Sequence, residues 1–184
     1  MIFCQEQQNK QIEPVFIDEF SCNLSMTPKF ARSKTNTRAI DNVPSRRGTN
    51  VSVVMAMTRS GLKEPMMLLG SMDGAAFQTW LVQRLLPKLV KGMVVFLDNV
   101  RFHTTLKVQE LFAAVGCDLV FLPAYSPDLN AIEEAISQVK NGLRRLKPRD
   151  SLALERGLGQ VLKNVSPKDA IAYIAHAGYQ LVGV

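Results

Sequence analysis

The stretch Met93-Val-Val-Phe-Leu-Asp98 sets five apolar residues in a row and closes them with an acid. An unbroken run of this kind predicts a strand buried on both faces, in the middle of a helix-covered sheet. Downstream, a helix is expected from about Thr104 to Val115, ending at Gly116. Asp118-Leu-Val-Phe-Leu122 reads as another central strand, and Pro123-Ala-Tyr-Ser-Pro127 as a turn. A long helix follows from near Leu129, and two shorter ones, about Ser151–Asn164 and Ser166–His176, close the chain. Upstream, Asp73 is placed to cap a helix whose Phe77, Trp80, Leu81, Leu85 and Leu89 share a face, with Pro87 kinking its last turn. Thr49–Thr58, the turn Arg59-Ser-Gly61 and Leu62–Leu69 predict a β-hairpin, and Pro14-Val-Phe-Ile-Asp-Glu-Phe20 a buried strand.

The order βββαβαβα, followed by helices, predicts an α/β fold: a mixed sheet flanked by helices, its first three strands antiparallel and the later ones parallel. Between Cys22 and Arg47 the sequence is polar, basic and aperiodic, and reads as a long irregular connection with one short hairpin. At 184 residues the chain fits one domain: a polar leader over 1–12, a core over 13–148 and a helical extension of that core over 149–184. With 47% hydrophobic and 21% charged residues, collagen-like, disordered and coiled-coil classes drop out. No apolar run is long enough to span a bilayer, and Met1–Lys10 is too polar for a secretory signal, so a cytoplasmic protein is expected. Cys4, Cys22 and Cys117 are widely spaced and predict reduced, ordinary residues rather than a zinc site. The net charge of +6 suits a polyanion without demanding one.

The acids carry the chemistry. Asp18 and Asp98 each stand where an apolar run stops, and functional sites of open α/β sheets gather at strand ends. One such Asp is an ordinary turn former. A third acid changes the balance: in the last long helix Ile132, Ile136, Val139, Leu143 and Leu146 form one apolar stripe. Glu133 sits about 100° from that stripe, at its edge, and Glu134 about 200° away, toward solvent. Lys140 and Arg144 share the edge with Glu133, placing phosphate-holding charges beyond a cation ligand; the plain alternative is a solvated Glu133–Lys140 surface pair. Three converging carboxylates repel unless a divalent cation lies between them, and an all-oxygen site selects Mg²⁺ or Mn²⁺. Two such ions suit in-line displacement at a phosphodiester.

Val95-Phe-Leu-Asp-Asn-Val-Arg-Phe-His103 and Leu122-Pro-Ala-Tyr-Ser-Pro-Asp-Leu-Asn-Ala-Ile-Glu-Glu134 resemble the catalytic domain of mariner-type DDE superfamily transposases, in particular their bacterial insertion-sequence branch. The 34 residues between Asp98 and Glu133 match that superfamily's spacing, Phe16-Ile-Asp-Glu19 matches its first acid, and Ser45-Arg-Arg-Gly-Thr-Asn-Val-Ser-Val53 and His176-Ala-Gly-Tyr179 extend the likeness along nearly the whole chain. The resemblance implies a ribonuclease H-like fold and metal-dependent DNA strand cleavage and strand transfer at transposon ends, with Asp18, Asp98 and Glu133 as catalytic ligands of two Mg²⁺ or Mn²⁺ ions. It implies that Asn99 and His103 line the site, contacting DNA or orienting a ligand, His103 alternatively capping the next helix. Asp128 and Asn130 are expected to shape the turn and cap the helix before Glu133. Arg46, Arg47, Arg101, Lys140, Arg144, Arg145 and Lys147 are candidate phosphate contacts or else solvated charges.

The family's usual Pro after that Asn is Ala131 here, and Ile136 replaces a common aromatic. Helix-turn-helix modules of full-length relatives find no room before Ile12. The expected partners are therefore transposon-end and target DNA, a second copy of the chain, and a separate helix-turn-helix half, at a bacterial nucleoid. An inactive DNA-binding or dimerisation remnant and a general ribonuclease H-like nuclease are the competing readings.

Overall fold

The computed structural model describes residues 11–46, 48 and 50–181. Among these residues are seven strands and five helices, which apart from the short first and last strands follow the expected order. The strands are β1 (Gln11–Ile12), β2 (Pro14–Cys22), β3 (Val51–Thr58), β4 (Gly61–Leu69), β5 (Val94–Leu97), β6 (Asp118–Phe121) and β7 (Gln180–Leu181). The helices are α1 (Gly74–Trp80), α2 (Leu106–Ala114), α3 (Ile132–Leu146), α4 (Ser151–Leu162) and α5 (Pro167–His176). The main sheet runs β4-β3-β2-β5-β6: β2–β3 and β3–β4 are antiparallel, β2–β5 and β5–β6 parallel.

Alternation along β2 divides the core into two layers. Val15 and Ile17 face α1 and α2, among Phe77, Trp80, Val108 and Phe112. Phe16 and Phe20 face α3 to α5, among Ile132, Ile136, Val139, Leu143, Leu154 and Ile174. Phe16 stacks on Phe96 of β5 with centroids 4.8 Å apart, and Tyr179 closes edge-on against Phe16 at 5.2 Å. Burial of such aromatics, with a further ~0.5–1.5 kcal/mol per ring pair, holds the two central strands in register. Asp73 caps α1 by accepting from the Ala76 amide, and Ser166 with Asp169 forms a capping box on α5.

The structure departs from expectation in several places. Asp18 lies mid-strand, because antiparallel pairing to β3 carries β2 on to Cys22. β6 is an edge strand rather than a central one, with nothing among the described residues paired beyond it, and Asp118 is exposed. The segment after Cys22 contains a turn closed by Thr37 N–H to the Lys34 carbonyl, but no hairpin among its described residues. Its base is pinned by Arg149, whose guanidinium donates to the carbonyls of Leu24 and Met26. After Trp80 the helix loosens into a π turn over Leu81–Leu85 and a 3₁₀ turn over Leu86–Lys88, since Pro87 offers no N–H to continue the ladder. Leu146, at the far end of the α3 stripe, is 43% exposed and lies outside the core. The β1–β7 pair, too short to carry a periodic signal, ties the two ends of the described chain together. Cys22 and Cys117 are free and buried; Cys4 lies outside the described residues.

Candidate active site

Parallel pairing of β2 with β5 matches Pro14 to Val94, Val15 to Val95 and Phe16 to Phe96. Asp18 and Asp98 each lie two residues beyond the last pair of that register. β5 ends at Leu97, which frees Asp98 from the ladder just where Asp18 is still held in it. Glu133 enters from above, in the first turn of α3, whose Ile132 and Ala135 are buried against the sheet. A cleft of about 440 Å³ is lined by all three acids, by Asn99 and Asn130, and by the loop from Leu122 to Pro127. Residues 18, 98 and 133, far apart along the chain, thus line one cleft.

Their environments differ. Asp18 is 8% exposed; its Oδ1 accepts from the Glu19 amide at 2.7 Å and its Oδ2 from Asn130 Nδ2 at 2.9 Å. Burial, then the charges of Glu133, Glu19 and Asp98, push its carboxyl up to about 8 against the lowering effect of the Glu19 amide bond. Glu133 is exposed along the cleft, whereas Glu134 is half-buried and accepts from His176 Nδ1, the reverse of the exposures expected from the helical wheel. The wheel counts only distance from the apolar stripe; α5 covers Glu134, and open space faces Glu133. Among the described residues no three acids, histidines or cysteines stand close enough to hold a metal ion as they are placed. Asp98 is turned toward an imidazole.

That imidazole is His103, which neither lines the cleft nor caps α2. It is fully buried behind Asp98, its Nδ1 2.5 Å from Asp98 Oδ1 and its Nε2 2.9 Å from Glu19 Oε1. Phe77 and Phe102 pack against the ring at 4.3 and 4.5 Å. Burial alone would lower its pKa, but the hydrogen bonds and charges of Asp98 and Glu19 raise it to about 9. Asn130 likewise does not cap α3: it reaches across to Asp18, and its own Oδ1 is buried without a partner. Sequence reasoning missed Glu19 altogether; the adjacent Asp18-Glu19 pair held the signal, because strand alternation sends two neighbours to opposite faces.

The basic candidates do not gather at the acids. Arg46 and Arg101 are exposed outside the cleft lining, and Arg47 lies outside the described residues. Lys140 sits with its Nζ 5.5 Å from the centre of the Phe20 ring. Arg144 donates to Asn141 and lines a separate groove with Arg145, Pro28, Lys29 and Phe30, while Lys147 pairs with Asp41. Eleven helical steps, about 16 Å of rise, separate Glu133 from Arg144.

Three carboxylates on one cleft, with no thiol or accessible imidazole beside them, form a hard oxygen donor set suited to Mg²⁺ or Mn²⁺. Asp18, crowded by Glu133 and Asp98 and held from ionising, is the group that a dication would relieve.

The family described as DDE superfamily endonuclease matches residues 13–155. No curated protein sequence matches the chain. Among solved structures, the Mos1 mariner paired-end complex with Mn superposes with a TM-score of 0.77 at 18% identity, over 96% of this chain and 56% of that one. The catalytic domain of Mos1 mariner transposase gives 0.54 at 16% identity, covering 98% of this chain and 90% of that one. The catalytic core domain of BIV integrase gives 0.53 at 13%, covering 91% and 99%. The chain therefore has the ribonuclease H-like fold and spans little more than half the length of the chain in the paired-end complex. No helix among the described residues is long and apolar enough to cross a membrane.

Proposed function

The chain belongs to the DDE superfamily endonuclease family, and from that premise we propose that it is the catalytic domain of a transposase, cleaving DNA strands at transposon ends and transferring them to a target. The observation that carries this reading is the shared cleft of Asp18, Asp98 and Glu133, residues brought together from two parallel strands and a helix. These three acids would hold two Mg²⁺ or Mn²⁺ ions. When bound, such ions act as Lewis acids on the attacking and leaving oxygens of a phosphodiester.

The chain's own groups prepare the site. The Glu19 amide and the Asn130 side chain hold the two oxygens of Asp18, and His103 holds Asp98. Asn99 and the loop from Leu122 to Pro127 form the walls against which the nucleic acid would lie. Arg46, Arg47, Arg101, Lys140 and Arg144 are proposed to bind phosphates further along the DNA, each as a point charge whose contribution falls with salt. The active assembly is proposed to be a homodimer that holds paired ends, with a helix-turn-helix half recognising them, at a bacterial nucleoid.

The test is metal-dependent nicking. The purified chain is expected to cut duplex DNA with Mg²⁺ or Mn²⁺ and not with EDTA, and Asp98→Asn to lose at least about a hundredfold, since several kcal/mol of charge stabilisation go with the ligand. An Asp98→Asn variant as active as the wild type overturns the assignment of the acids. Comparing transposon-end, plain duplex and RNA–DNA hybrid substrates separates a transposase from a general ribonuclease H-like nuclease. Salt-sensitive DNA binding with no cleavage marks an inactive remnant.

A further inference from the structure

Asp98 leaves the sheet one residue after β5 ends, and its side chain is 40% exposed, so the ladder does not fix its direction. Its Oδ1 lies 2.5 Å from His103 Nδ1 and accepts a longer bond, 3.4 Å, from the Val100 amide. The ring is sealed between Phe77 and Phe102, and its other nitrogen meets Glu19 Oε1 at 2.9 Å. Glu19 in turn sits within β2, paired with Val54 of β3. A chain of contacts thus runs from an anchored strand through a buried ring to the one cleft acid that the sheet leaves loose.

We propose that Glu19 is a positioning residue of the acidic cleft, acting through His103 to hold the Asp98 carboxylate in its place for a divalent cation. The proposal rests on the reading of the cleft as a metal site. A carboxylate only accepts hydrogen bonds, so a ring clasped by Glu19 and Asp98 presents an N–H to each. Removing the Glu19 end lets the ring turn or offer a bare nitrogen to Asp98, and Asp98 then loses its closest donor, keeping only the longer bond from the Val100 amide. Groups that orient ligands from behind in this way are worth about 10- to 100-fold in metal affinity. Asp18 and Glu19, adjacent in sequence, would thereby serve the same site from the two faces of the sheet.

The experiment titrates Mn²⁺ into the full chain without DNA, following free Mn²⁺ by electron paramagnetic resonance, with a thermal melt on each variant. Glu19→Gln keeps an oxygen acceptor at the same reach and is expected to bind Mn²⁺ within about twofold of wild type. Glu19→Asp keeps the charge but falls one methylene short, and is expected to bind at least about tenfold more weakly, as is Glu19→Ala. In a His103→Gln background the same Glu19 changes are expected to have no further effect, because the connection is already cut. Wild-type affinity in Glu19→Asp, or weakened binding in Glu19→Gln with Glu19→Asp intact, overturns the positioning role and leaves the metal reading standing. A folded wild-type chain that takes up no Mn²⁺ overturns the metal reading and the positioning role together.

Discussion

Asp18→Asn is expected to stabilise the metal-free protein while removing its metal-dependent activity. The wild-type carboxyl is 8% exposed and lies under the charge of Glu133, so its pKa stands at about 8 against an ordinary 3.8. A folded-state pKa above the unfolded one means that the stabilising contribution is complete below pH 3.8 and is lost progressively as pH rises to about 8. The loss runs at about 1.4 kcal/mol per pH unit and amounts to on the order of 6 kcal/mol over the whole range. An amide does not titrate and escapes it.

The replacement is also well suited to its neighbours. The Glu19 amide can still donate to the retained carbonyl, and turning the Asn130 side chain over presents its unpartnered Oδ1 to the new NH₂ group. The assay is urea denaturation in EDTA at half-unit steps from pH 5 to 6.5. Both imidazoles, raised by their carboxylate partners, are present in wild type and variant alike, so the difference between the two curves reports Asp18. Wild type should lose about 2 kcal/mol across it relative to the variant, or about 4–8 °C in Tm for a chain of this size. Parallel curves for the two proteins would show that Asp18 is not the buried, crowded carboxyl described, and would remove the electrostatic case for a cation there.

Two further changes probe the walls and the frame. Tyr125 lines the cleft fully exposed with φ +59, a left-handed conformation that costs a bulky residue about 1–2 kcal/mol. Tyr125→Gly should raise thermal stability yet weaken DNA binding, measured by anisotropy in EDTA, by the roughly 1–3 kcal/mol of one base–aromatic stack, while Tyr125→Phe should bind as wild type. Equal affinities for all three would exclude the ring from the DNA path. Gly142→Ala places a Cβ 2.7 Å from Val161 Cγ1, where α3 and α4 touch and a β-branched neighbour has little room to turn. The net cost, after the gain in helix propensity, is expected to be about 1–2 kcal/mol in chemical denaturation, and an unchanged midpoint would show that the two helices move apart freely.

The elements were legible where one physical signal dominated. The apolar run before Asp98 became β5 in the sheet interior, the Arg59-Ser-Gly61 turn closed its hairpin, and Asp73 capped its helix. The site was legible as three acids and a spacing. Its interior was not. Asn130 looked like a cap and is a partner of Asp18; His103 looked like a cleft residue and is buried; Glu19 drew no notice and touches the ring behind Asp98. Edge position for β6 was equally hidden, because the composition of a strand does not report whether another strand lies beyond it.

Local pattern along the chain determined which residues form strands and helices, that five strands build a mixed sheet, and which three acids the active-site reading depends on. Those properties follow from neighbours within a few positions, through side-chain periodicity, turn chemistry and capping. The tertiary fold alone decided which face of the sheet each polar side chain meets, which acid is buried and which exposed, and where the basic residues end up. Those depend on contacts between segments distant along the chain, such as Asn130 with Asp18, 112 positions apart, and burial by a distant segment sets both the charge state and the direction of a carboxylate.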